Sequence, residues 1–225
     1  MNYLGEAFAF ILDPANWGGP MGIGRLLGQH LGYSLLGVLL ASALGVPLGW
    51  WVGHRRRGRE LVVAASGAVR ALPTLGVVTL LGLLLGIGLS APLLAFVVLA
   101  LPSVLAGAYT GVESADPVAV DGARASGMSE LQVLTRVEVP LGAPLLVGGL
   151  RSATLQVIAT ATLAAYTGAG GLGRLMFLGL NTQNYAMVLS SSMLVIVLAL
   201  LSETCYSLLQ RAVRPAGAAT RKEPV

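Results

Sequence analysis

The sequence predicts an all-α polytopic membrane protein with about five transmembrane helices. Three observations carry this prediction. Mean hydropathy is +0.79, with 55% hydrophobic and only 11% charged residues among 225, against roughly 25% charged in soluble domains. Apolar stretches long enough to cross a ~30 Å hydrocarbon core as helices recur along the chain. Most of the charge is confined to short segments between them. A chain of this length reads as one unit. Its expected parts are an extracytoplasmic segment at 1–30, a transmembrane domain at 31–210 with a cytoplasmic loop at 113–138, and a cytoplasmic basic tail at 211–225.

Taken in order, residues 1–30 mix aromatic, Gly, Pro and acidic residues, and Trp17 and Tyr33 are placed like interfacial anchors. No basic region precedes an apolar core there, so no cleaved signal peptide is read. Leu31 to Val52 forms a first span, with a kink expected at Pro47. Gly45, Gly49 and Gly53 give it a close-packing face, for which a helix of a partner subunit is one candidate. Trp50 and Trp51 end this span beside His54-Arg55-Arg56-Arg57-Gly58-Arg59, a basic loop expected on the cytoplasmic side. A second span from near Leu61 to before Ser90 is interrupted by Arg70 and Pro73. A third runs from Ala91 to Val112 around Pro102. A fourth covers Val139 to about Tyr166, interrupted by Arg151, and a glycine-rich turn at Gly168 to Gly173 follows. The fifth covers about Ala186 to Leu209. The tail from Arg211 is expected to be disordered.

The longest charged island, Asp116 to Pro140, has its own local code. Asp116 is a good N-cap acceptor and Pro117 suits the first helical position. That short helix should end at Ser126, with Gly127 free to take the left-handed conformation. Ser129 with Gln132 three residues on predicts a capping box and a second short helix. Two short helices meeting at a glycine make an angular knob that can fit a cleft on another protein.

Charge sets the orientation. With five spans, one side holds Arg55, Arg56, Arg57, Arg59, Arg124, Arg136, Arg211, Arg214, Arg221 and Lys222. The other holds only Arg25 and Arg174, while Arg70 and Arg151 fall within spans. This asymmetry places the N-terminus outside, and the C-terminus and the knob in the cytoplasm of a plasma or inner membrane protein.

Several chemistries are disfavoured. The single Cys205 excludes an internal disulfide and offers no metal cluster, so no metal or cofactor is expected. Few, scattered basic residues argue against nucleic acid. The only lysine, Lys222, lies outside any P-loop pattern, so ATP hydrolysis is not expected on this chain. Gly168-Ala169-Gly170-Gly171-Leu172-Gly173 matches G-x-G-x-x-G, but a dinucleotide site would need a preceding strand and an acidic residue ~20 positions on. It reads instead as a flexible re-entrant turn lining a cavity. An intramembrane enzyme would need a catalytic set within the spans, yet His30 and His54 fall at span ends.

Asp121-Gly122-Ala123, three residues, Gly127, nine residues, then Val137-Glu138-Val139-Pro140 resembles the EAA motif of ABC-importer permeases. The spacing matches throughout, with Asp for Glu, Gly for the first Ala, and Val for Ile and Leu. Leu72-Pro73-Thr74-Leu75, Leu85-Gly86-Ile87-Gly88 and Ala161-Thr162-Leu163-Ala164-Ala165 before the glycine-rich turn extend the resemblance over roughly 60–213. They are similar to permeases of glycine betaine, carnitine, choline and proline importers. The resemblance implies a type I importer fold with a methionine-permease-like core. It also implies a permease subunit that works by alternating access with two ATPase subunits, a second permease copy or paralogue, and an extracytoplasmic solute-binding protein. Permeases of methionine and other amino-acid importers share the five-span plan and are the alternative substrate class. An ATP-independent channel or carrier would explain the hydropathy but would not need the EAA spacing.

Residue by residue, the resemblance assigns ATPase coupling to Asp121, Gly122, Ala123, Arg124, Gly127, Met128 and Pro140. Gly168, Gly170, Gly171 and Gly173 are the candidate outer gate turn. Arg70, Thr74, Gln156, Thr160 and Tyr166 are the candidates for the translocation path, with Thr79 and Thr162 as further polar positions. On straight spans Arg70 and Arg151 would lie ~15–18 Å deep. A charge there needs a partner or a water-filled cavity, and Glu138 and Glu203 are the available carboxylates.

Overall fold

The computed structural model describes residues 2–213; most of the tail expected to be disordered lies outside them. Among the described residues there is no strand. The chain forms α1 (Tyr3–Leu12), α2 (Ile23–Arg55), α3 (Arg59–Arg70), α4 (Thr74–Leu85), α5 (Ser90–Glu113), α6 (Pro117–Ala125) and α7 (Glu130–Val133). It continues through α8 (Val139–Thr160), α9 (Gly173–Asn181) and α10 (Tyr185–Ala212). Among the described residues, four helical stretches are long and apolar enough to cross a membrane: α2, α5, the continuous Glu130–Thr167 stretch and α10. The pair α3 and α4 brings the number to five if counted as one crossing.

Helix α5 is the centre of the bundle. It packs on α2 on one side and on α8 on the other, and most of its length is buried. The core joins Val38 and Ala41 of α2, Phe96, Ala100 and Val104 of α5, and Ala153 and Val157 of α8. Small residues make this possible, because helices in lipid associate through close packing rather than through hydrophobic exclusion. A Cβ on Gly49 would sit 2.5 Å from the Ala108 Cβ, and one on Gly53 2.6 Å from the Tyr109 carbonyl oxygen. The Gly45-Gly49-Gly53 stripe is therefore filled by α5 of the same chain, and the expectation of a partner-subunit helix on it is corrected. Between α5 and α8, Gly107 faces Gly149 and Gly111 faces Gly142 at backbone contact.

The first span differs from the sequence expectation at its start. Helix α2 starts at Ile23, ahead of the expected Leu31, because Ile23 and Leu26 are fully buried against Leu172 and Leu175. Pro47 lies inside α2. Tyr33 is not a free interfacial anchor, since its hydroxyl donates to the Ala169 carbonyl at 2.8 Å.

The second span is not straight. Helices α3 and α4 meet at 85°. Pro73 disfavours helical geometry at Leu72 and takes an extended conformation, φ −67 and ψ 117, so the chain turns before α4 begins. The ~15 Å depth assigned to Arg70 assumed one continuous helix axis and does not hold. Arg70 is the last residue of α3 and is exposed.

The fourth span begins before Val139. The helix runs unbroken from Glu130 through a π-helical turn at Leu134–Glu138 into α8. Pro140 has no N–H and would crowd a regular preceding turn, which a widened turn relieves. At its far end the helix tightens into a 3-10 segment, Ala161–Thr167.

The ends of the bundle are distinct. One end gathers α1, the start of α2, the glycine-rich turn, α9 and the start of α10. There the Ser190 hydroxyl donates to the Ala7 carbonyl at 3.2 Å, and the Tyr3 and Tyr185 rings meet edge to face at 5.7 Å. The opposite end carries the basic loop and the knob, joined by Arg59–Glu113 at 3.6 Å and His54–Glu138 at 2.6 Å.

Candidate functional site

The knob is built by local hydrogen bonds. The Asp116 carboxylate accepts from the Val118 N–H at 2.9 Å, and Pro117 opens α6. Gly127 has φ +82, in the left-handed region. The Met128 N–H donates to the Ala123 carbonyl at 3.2 Å and the Gly127 N–H to the Arg124 carbonyl at 2.9 Å, the two bonds of a Schellman turn. Ser129 and Gln132 then form a reciprocal capping box at the start of α7. Inside the angle, Ala115, Val120, Ala123 and Val133 are buried together, with Met128 and Val137 packed on them. Nothing lies within 4 Å of a Cβ on Gly122, so that glycine is not required by packing.

A chain of charges ties the knob to the end of α2. Arg124 Nη1 lies 3.5 Å from Asp121, and its Nε and Nη2 donate to Glu130 at 3.0 and 3.1 Å. Glu130 Oε2 lies 3.2 Å from His54 Nε2, and His54 Nδ1 lies 2.6 Å from Glu138 Oε2. The hydrogen bond from Arg124 holds the Glu130 carboxyl below its ordinary range, helped by the charges of Arg124, His54 and Arg55 against partial desolvation. The Arg124 guanidinium is raised, first by its bond to Glu130. Glu138 is only 5% exposed and is the last residue of the π-helical turn. Sequence reasoning missed His54 and Glu138 as a pair. They are 84 positions apart, and a histidine after an apolar span followed by arginines carries no local sign of a carboxylate partner.

The glycine-rich turn sits at the other end, and it is pinned rather than flexible. Gly168, Gly170 and Gly171 have φ of +80, +105 and +77. Gly173 is forced by proximity, since a Cβ there would lie 1.8 Å from the Thr162 carbonyl oxygen. The Gly171 N–H donates to Gln29 Oε1 at 3.1 Å, and Leu172 is fully buried. Thr167 exchanges bonds with the Gly88 backbone, accepting from its N–H at 2.8 Å through the Thr167 carbonyl, so the turn after α4 and the 3-10 segment are clasped.

The candidate path residues are not brought to one point. Thr74 opens α4, directly after the turn that follows Arg70. Thr160 donates to its own helix, to the Gln156 carbonyl at 2.9 Å, and Thr79 likewise to Leu75 at 2.8 Å. Tyr166 is 55% exposed beside Phe177 and lines a cleft with Thr79, Ile87 and Thr167. Arg151 is paired with Glu203 of α10 through two hydrogen bonds, one from Nε at 2.6 Å and one from Nη2. This is the carboxylate partner that a charge within a span requires.

Comparison with known proteins agrees with this architecture. A family model described as "Binding-protein-dependent transport system inner membrane component" matches residues 45–216. The chain is 30% identical to the glycine betaine/carnitine/choline transport system permease protein OpuCB of Bacillus subtilis, over 87% of this chain and 90% of that protein. It is 32% identical to the choline transport system permease protein OpuBD of Bacillus subtilis, over 84% of each. It is 30% identical to the osmoprotectant import permease protein OsmW of Salmonella typhimurium, over 94% of this chain and 99% of that one. Among solved structures, an inward-facing form of the MetNI methionine ABC transporter superposes with a TM-score of 0.74 at 20% identity, covering 85% of this chain and 95% of that chain. An amino acid ABC transporter crystallised with histidines gives 0.71 at 16%, covering 94% and 99%. At these identities the structures show the shared fold.

Proposed function

We propose, from the premise that this chain belongs to the family of binding-protein-dependent transport system inner membrane components, that it is the permease of an ATP-driven importer of compatible solutes. The substrate class is a small quaternary ammonium solute such as glycine betaine, choline or carnitine. The observation that carries the class is the match, over nearly the whole length, to relatives named for those solutes. The amino-acid transporters share the fold at lower identity.

In this reading two copies, or one copy and a paralogue, form the pathway. Two ATPase subunits receive the α6–α7 knob in the cytoplasm. An extracytoplasmic binding protein delivers solute to the end that carries the glycine-rich turn. A chain with 6% aromatic residues has few rings for a cation–π cage, so solute selection belongs to that binding protein. Sidedness rests on the basic residues clustered at the knob end. Cysteines at Arg57 and Thr182, in a Cys205→Ser background, should label from inside and outside respectively.

The test is transport. Vesicles holding the complex and its binding protein should take up labelled choline or glycine betaine only with ATP. Gly127→Val forces a β-branched residue to φ +82. It should insert normally yet lose co-purified ATPase and uptake. Wild-type levels of both in the variant would remove the knob as the docking element. Methionine uptake in place of choline would move the protein to the amino-acid class.

A further inference from the structure

The knob could pass a displacement to the bundle by its covalent route, through the π-helical turn into α8. The structure contains a second route, at His54. This residue lies in the last turn of α2. Both of its ring nitrogens face carboxylates: Nδ1 to Glu138 at 2.6 Å and Nε2 to Glu130 at 3.2 Å. The Nδ1 contact is a hydrogen bond to Glu138, and the opposite edge of the same ring faces Glu130, so one side chain of α2 spans the two carboxylates. The two carboxylates belong to different parts of the moving element. Glu130 is the first residue of α7 in the knob, and Glu138 ends the π-helical turn beneath it.

We infer that His54 is the positioning residue that couples the knob to α2, so that α2 and α8 move together when the knob is displaced. Burial supports this. Glu138 is nearly inaccessible and the His54 side chain is 12% exposed, so this pair is far less screened than a surface ion pair. The charged groups around His54 are Glu138, Glu130, Asp121, Arg124 and its own neighbours Arg55, Arg56 and Arg57. Arg124 is itself engaged by Glu130 and Asp121, and the His54 ring is the α2 side chain that lies between the two glutamates. The π-helical turn is the second observation. It widens the helix beside Pro140 and ends on Glu138, the carboxylate His54 holds, and such turns recur where a helix must present a residue for function. Helix α2 in turn packs its glycine stripe on α5, so displacement at His54 reaches the centre of the bundle.

This inference rests on the proposed coupling role of the knob, and the experiment separates the two. Hydrogen exchange would be followed on the purified complex with its ATPase, before and after trapping with ATP and vanadate. Two segments are read, residues 48–57 at the end of α2 and residues 116–133 in the knob. In the wild type both should change on trapping. In His54→Ala the knob should still respond, while the response at 48–57 falls about fivefold or more. His54→Lys, an ammonium that can donate to both carboxylates, should restore it, and Glu138→Gln should lose part of it. A brace without a transmitting role would raise resting exchange in the knob and leave the trapped response at 48–57 intact, which would overturn the inference. If His54→Ala does not accumulate, the contrast between His54→Lys and Glu138→Gln decides in the same way. Wild-type protein that holds no ATPase would overturn the proposed function and this inference with it. ATPase binding with an unaltered α2 response in His54→Ala overturns this inference alone.

Discussion

Gly111 and Gly142 meet backbone against backbone: a Cβ placed on Gly142 would lie 2.3 Å from the Gly111 carbonyl carbon. No rotamer change relieves that contact, because both sides are main chain. Gly142→Val should therefore separate α5 from α8 and sharply reduce the yield of folded protein. The check is detergent-solubilised protein on size exclusion, where a monodisperse Gly142→Val variant would show that the helices tolerate separation.

The opposite outcome is expected at Gly122. It lies inside α6, without positive φ and with open space around its missing Cβ. Gly122→Ala should stabilise α6 by about 1 kcal/mol, the difference in helix propensity. Thermal unfolding of purified protein, with knob proteolysis as the local probe, should show slower cleavage. Faster cleavage would show that a Cβ at Gly122 disturbs the knob itself, against the open space around it.

Arg151 and Glu203 join α8 to α10 through two hydrogen bonds. Removal of either partner leaves a charge within the bilayer span. Arg151→Ala and Glu203→Ala should each destabilise more than the double variant does per residue, with a coupling of about 0.5–3 kcal/mol across the cycle. Arg174→Ala, outside the spans, is the control. Additive single effects would show that the pair contributes no net interaction.

Acid should release the knob late. The folded-state pKa of Glu130 is depressed, first by the hydrogen bond from Arg124. Its contribution is therefore present above the ordinary glutamate value of about 4.3 and is lost as pH falls through the lower folded value. Protection of the knob, with exchange rates corrected for their intrinsic pH dependence, should persist down through the ordinary glutamate range and be lost only below it. Glu130→Gln should remove this acid step and leave the rest of the profile. An unchanged step in Glu130→Gln would assign it to another carboxylate.

Legibility follows the range of the forces involved. Asp116, Gly127 and the Ser129–Gln132 box were readable because each rests on hydrogen bonds spanning a few residues, as the structure shows. The number of apolar stretches was readable because insertion depends on summed transfer energy over ~20 residues. The glycine-rich turn was legible as non-helical backbone, but not as pinned, since Gln29 and Tyr33 reach it from 142 and 136 positions away.

The sequence by itself therefore determined the class of protein, the approximate positions of its long apolar helices, and the shape of the knob. Tertiary packing alone decided which partner each special residue takes. The Gly45-Gly49-Gly53 stripe is equally smooth toward any helix, and only its apposition to Ala108 and Tyr109 assigns it to α5. Arg151 demands a carboxylate within a span but does not specify which, and the α8–α10 contact selects Glu203. Pro73 marks a break, while the 85° between α3 and α4 is set by how both helices lie on α5. His54 shows no local signal at all, because its two carboxylates arrive only when the helix from Glu130 onward is folded against the end of α2.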